Sequence, residues 1–406
     1  EDYILLCLRI DVALARQNVS PFLDSYFGPP ELKARVASES PLPLPELAAH
    51  ARALLDRLPG QQFEPHRSAY LEKQTIALET ICRYCAGDPM SLAEAARGCL
   101  DVDPEVVPES TLLAALQLYD QALPGTGDVR QRFQAWQQRN ELPVEKVPRV
   151  VDLMDRVLAE ARRRTRAFVP LPEGEALDLQ AVRDKSYGAA NWYLGNYRSR
   201  LELNVARPVN LSGLIDQMCH EGYPGHHTEY ALKEAHLYHE QGHAEMSVYV
   251  LAPQLVISEG IASLAFDVIF PPEEAAEWAV EHLYRPLGIP VDDVDLAGLY
   301  RAHSLVRGDE LSSNVIQMQS QGYTDEQVVE YFLSVTPFPE ARVRLWLQWL
   351  KGPLAQIYNL SYAQGRRLIE PLLQGEGGRE AFRRILSQQV YPSMLAEWRE
   401  AQEELE

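Results

Sequence analysis

The chain has 406 residues, enough to bury a large core and to hold two or three subdomains. Its 38 basic and 58 acidic residues leave a net charge of −20, which argues against nucleic acid or an anionic membrane as a general partner. Five cysteines are an odd number, at variance with a disulfide framework and in keeping with a reducing, cytoplasmic compartment; no signal peptide and no apolar run of membrane-spanning length are read.

Helical periodicity dominates and predicts amphipathic helices over residues 2–18, 44–59, 64–86 and 144–167. Cys82-Arg-Tyr-Cys85 is a lone CxxC inside the third of these, with Cys99 standing by itself, so these thiols are read as packing groups. Ser91-Leu-Ala-Glu94 and Thr324-Asp-Glu-Gln327 have the form of capping boxes. Proline and glycine punctuate the chain at Gly28-Pro-Pro30, Pro59-Gly60, Pro124-Gly125, and Pro172 with Gly174. The Arg162-Arg-Arg-Thr-Arg166 run reads as a solvated helix end.

From Tyr187 to Val205 the pattern changes to aromatic, glycine-containing and alternating, which predicts one or two short strands. Arg198 and Arg200 alternate there and are candidates to meet a substrate carboxylate. The expected fold is therefore mainly α, with an N-terminal helical subdomain (1–180) and a second helical subdomain (181–406) carrying those strands.

His220-Glu221-Gly222-Tyr223-Pro224-Gly225-His226-His227 is the most informative stretch. A histidine followed directly by glutamate is how zinc hydrolases pair a ligand with the general base beside it. The usual second histidine stands four residues on; here that position is Pro224. At about 100° per residue, His226 would lie on another face of a straight helix, and His227 roughly 10 Å further along the axis. Pro224 cannot donate to the His220 carbonyl, and Gly225 permits unusual backbone. A two-residue bulge at Pro224-Gly225 would return His226 to the ligand position; His227 is the alternative.

A third ligand is available in Val256-Ile257-Ser258-Glu259-Gly260-Ile261-Ala262. Glu259 is the single acid in an apolar run, and a buried carboxylate needs a partner. A rival lies between: His239-Glu240-Gln241-Gly242-His243 is a literal HExxH, followed 16 residues later by Glu259. Its flanks, Lys233-Glu234, His236 and Glu245, are polar, and Gly242 weakens a helix. It reads as the exposed end of a helix starting near His227.

HEGYPGHH followed by SEGIA resembles the bacterial family named domain of unknown function 885, with its HExxPGHH and later EGxA. That family in turn resembles the gluzincin metallopeptidases, such as the Taq-type carboxypeptidases and dipeptidyl peptidase III. The likeness runs from about Arg183 to Arg367 and takes in Arg307-Gly-Asp-Glu310, Gly322 to Gln327, and Ser361-Tyr362-Ala-Gln-Gly365. It implies a zincin-like helical metallopeptidase with one Zn2+ on His220, His226 and Glu259. Glu221 would be general base, and Tyr362 would donate to the oxyanion, with Tyr358 or His303 as substitutes. Thermolysin-like enzymes place an acid four residues after the glutamate ligand; here that residue is Ser263. The implied partner is a peptide or small-molecule substrate. A zinc hydrolase of other amides or esters, or a silent metal-holding scaffold, are the alternatives. No Gly-x-Met-x-Asn exopeptidase signature is present.

Overall fold

The computed structural model describes residues 1–142, 147–185, 188–206, 208–375 and 377–403. The fold is mainly α, as expected. The four helices read from periodicity are present as Asp2–Arg16, Leu44–Arg57, Pro65–Cys85 and Val147–Arg166; residues 144–146 lie outside the described residues. Both capping boxes are formed, with Ser91 and Thr324 accepting from the backbone three residues on and Glu94 and Gln327 reaching back. All five cysteines are free thiols, and Cys85 alone among them is not fully buried.

At the centre lies the helix Pro253–Ile269, apolar around nearly its whole circumference and buried along almost all its length. The helices Leu214–Glu221, Pro353–Ile369, Pro65–Cys85 and Leu92–Leu100 pack around it. Its crossing with Pro353–Ile369 is close because glycines meet there. A Cβ on Gly365 would stand 2.1 Å from the Val256 carbonyl oxygen, and one on Gly260 2.5 Å from the Gly365 carbonyl carbon. These are the glycines of EGIA and YAQG, so two weak motifs mark one helix contact. No single helix among the described residues is long and apolar enough to cross a membrane.

The predicted strands are Ala189–Gly195 and Arg198–Asn204, an antiparallel hairpin. Tyr187 lies outside the described residues. The turn residues Asn196 and Tyr197 both have positive φ, as a two-residue hairpin turn requires. Their backbone N–H groups donate to the Glu234 carboxylate at 2.9 and 3.0 Å, which pins the hairpin to the helix following the motif. A third strand, Ala176–Val182, pairs in parallel with Arg198–Asn204, and this one the sequence reading did not foresee. The order leaves Ala189–Gly195 as an edge strand. Near the N-terminus, Leu23–Tyr26 pairs antiparallel with Val248–Val250, and the register shifts at Asp24.

Candidate metal centre

The motif is built as two helices, Leu214–Glu221 and His226–Lys233, with a break between them. In a regular α-helix each N–H reaches four residues back. Here Gly225 N–H reaches six back to the Cys219 carbonyl, at 3.0 Å, and Thr228 N–H reaches six back to Gly222, at 3.3 Å. Two residues are looped out, and regular spacing resumes with Glu229 N–H on the Gly225 carbonyl at 3.0 Å. Only glycine fits at 225, since a Cβ would lie 1.9 Å from the His220 carbonyl oxygen. The i+6 histidine thus takes the place of an i+4 one.

His220 and His226 face each other edge to face, with ring centroids 4.8 Å apart. Glu259 comes to them from the central helix. Its Oε2 is 3.5 Å from His220 Nε2 and 3.7 Å from His226 Nε2. The donor atoms of these three residues all lie within 4.8 Å of one another, so the group could hold a metal ion. Glu259 Oε2 is buried and has no hydrogen-bond partner among the described residues, although it faces both imidazoles. Burial, and then the nearby Asp24, push its carboxyl well above the usual range. Burial holds both histidines down, His220 to about 3, so they are neutral imidazoles with lone pairs to give.

Each of the three is held from behind. His226 Nδ1 lies 3.1 Å from Ser258 Oγ, which donates to Glu229 at 2.6 Å, and Glu229 is paired with buried Lys233 at 2.6 Å. The other oxygen of Glu259 accepts from Tyr358 at 2.9 Å. His220 bonds to the backbone of Ala262, so a main-chain carbonyl does there what Ser263 does not.

Glu221 stands outside this donor group. The backbone of Asn191, on the edge strand, donates to its carboxylate, and the Asn191 side-chain amide donates to its carbonyl. Burial raises its carboxyl to about 8, with Asp24 adding to the shift; a bound cation would act in the opposite direction. Tyr362 lies over His220, ring centroids 6.4 Å apart and planes 26° from parallel. Burial, then Glu259, keep its hydroxyl protonated and able to donate.

Other candidates are placed elsewhere. His227 points away, Nδ1 2.8 Å from Ser199 and Nε2 3.1 Å from Glu175, and it is 1% exposed. The rival motif falls where the helix ends: His239 lies 3.2 Å from Glu234, His236 the same distance from Glu240, and Gly242 has φ +69°. Tyr358 is committed to Glu259, and His303 Nε2 lies 3.1 Å from Asp216. Arg198 pairs with Asp178 at 2.8 Å and Arg200 with Glu202 at 3.0 Å, so neither is the free cation the sequence allowed.

The sequence reading missed Asp24. It sits at the register shift of the N-terminal strand and accepts from Tyr230 at 2.6 Å. Tyr230 in turn stacks on His226, centroids 6.0 Å apart. A bulge re-aims a side chain, and here it leaves an acid near enough to act electrostatically on His226 and Glu259. An aspartate among apolar residues, in Phe22-Leu23-Asp24, was the faint signal.

No family model matches the chain, and no curated protein matches it. Among solved structures it is similar to one described as "the putative lipoprotein from Colwellia psychrerythraea". The identity is 14%, the match covers 97% of this chain and 73% of that one, and the TM-score is 0.49.

Proposed function

We propose that the chain is a zinc-dependent hydrolase, and specifically a metallopeptidase of the kind its HEGYPGHH and SEGIA segments resemble. The observation that carries this reading is the orphaned, buried Glu259 Oε2 facing two neutral imidazoles. Ligands on a tetrahedral zinc with bonds of about 2.0–2.1 Å stand about 3.4 Å apart. The measured 3.5 and 3.7 Å are near that, and two histidines with one carboxylate form a familiar catalytic donor set.

When bound, zinc polarises a carbonyl and acidifies water. Glu221, next to the ligand but outside the donor group, accepts the proton of the attacking water and hands it to the leaving amine. Tyr362 donates a hydrogen bond to the oxygen that gains charge. The edge strand Ala189–Gly195 stands beside Glu221, to which Asn191 ties it. The reducing compartment inferred from the thiols goes with this reading as a cytoplasmic location.

The test is a peptide-library digest read by mass spectrometry, with wild type, wild type plus chelator, and Glu221→Gln. Cleavage confined to untreated wild type is expected. Cleavage unaffected by chelator removes the zinc mechanism. Stoichiometric zinc with no cleavage of peptides, amides or esters favours a silent scaffold.

A further inference from the structure

Near the start of the motif helix lies a concavity of about 220 Å³. Six aromatic side chains wall it: Tyr119, Phe133, Trp136, Tyr284, Tyr300 and Phe338. It adjoins the start of the motif helix through Ser212 and Gly213, and a further residue of that helix through His303. His303 lines it and lies 3.1 Å from Asp216, one helical turn before His220.

Among the described residues that line it, one carries a permanent positive charge, the exposed Arg342. Arg342 lies with its guanidinium 4.4 Å from the Phe338 ring centre and 5.5 Å from that of Trp346. Among the described residues no carboxylate lies within 4.0 Å of it; Asp309 and Tyr119 face it from further away. The neighbouring arginines are spoken for: Arg307 by Asp216 and Asp267, Arg366 by Glu310 and Glu370. Tyr284 and Tyr300 line the cavity with their rings, while their hydroxyls are buried beneath it. Aromatic walls suit a ring, and a guanidinium with no acid beside it suits a carboxylate.

We propose that this cavity binds an aromatic residue bearing a free carboxylate, the C-terminal residue of a peptide, with its ring against the aromatic walls and its carboxylate on Arg342. The cavity's chemistry stands by itself; the statement that the bound residue is the one released rests on the metallopeptidase reading. It would make the protein a carboxypeptidase with a preference for C-terminal Phe, Tyr or Trp.

The test is calorimetric titration of the full chain, zinc-loaded and chelator-treated, with 3-phenylpropionate, its amide, and propionate. These probes cannot be hydrolysed. Only 3-phenylpropionate should bind well, with and without metal, and the amide about 10-fold or more weaker. Arg342→Gln, shown folded by circular dichroism, should lose the difference between acid and amide. Equal binding of acid and amide to wild type overturns the proposal, and that comparison needs no variant. Acid-selective binding by a protein that cleaves no peptide would leave the cavity and sink the metallopeptidase reading. Chelator-sensitive cleavage indifferent to C-terminal amidation would sink the cavity proposal and leave that reading.

Discussion

On the proposed mechanism Glu221 takes a proton and Glu259 holds the metal, and single substitutions should separate the two roles. Glu221→Gln would remove the proposed proton acceptor while filling nearly the same space. It should keep stoichiometric metal and fold while turnover falls by about 10²–10⁴-fold, the range for general acid–base groups. An equally fast Glu221→Gln would refute the mechanism. Tyr358→Phe deletes one hydrogen bond to the far oxygen of Glu259. Loss of such support typically costs about 10–100-fold in metal affinity, which competition with a zinc chelator would measure. Unchanged affinity would mean Glu259 is positioned by packing alone. At this scale His220, His226 and Glu259 were legible because ligand chemistry imposes spacing, and an acid in an apolar run has to be explained. Asp24 was not, because a residue nearly two hundred positions from the motif enters the site only through a strand pairing. Tyr358 and His303, open as oxyanion donors in the sequence, are tied in the fold to Glu259 and Asp216.

Between elements, two glycine positions carry the geometry. Gly225→Ala would drive a Cβ to 1.9 Å from the His220 carbonyl, so the break must open and His226 must leave the ligand position. Metal content should drop although no ligand is altered; full occupancy would show that the break tolerates a side chain. Gly365→Ala would press on the Val256 carbonyl at 2.1 Å, where the two buried helices cross. Overpacking of this kind costs about 1–3 kcal/mol, readable as a lower midpoint in urea. The long helices and the hairpin were readable from periodicity, since each buries one face. The strand Ala176–Val182 escaped because no residue along it is fully buried. Its place is set by a parallel partner, and no local pattern announces such a pairing.

Across the whole molecule the candidate site draws on distant parts of the chain. Asp24 comes from the N-terminal strand, the histidines from the interrupted motif, Glu259 from the central helix, and Tyr358 and Tyr362 from the helix Pro353–Ile369. A ligand bound only by the folded state stabilises it by mass action, so chelation should lower the thermal midpoint by on the order of a few °C. A His220→Ala protein should already sit at the lower midpoint and not respond to chelator. The mainly helical architecture was plain from the sequence; which helices meet was not, apart from the glycines that let two of them touch. The central claim is that one metal ion is held by His220, His226 and Glu259. Metal content per chain, measured by plasma mass spectrometry on purified variants, tests it most directly. One zinc per chain is expected in wild type and in the double variant His239→Ala with His243→Ala, and almost none in His220→Ala or Glu259→Ala. Zinc retained in the latter pair, or lost from the double variant, would contradict the account and move the site to the rival motif.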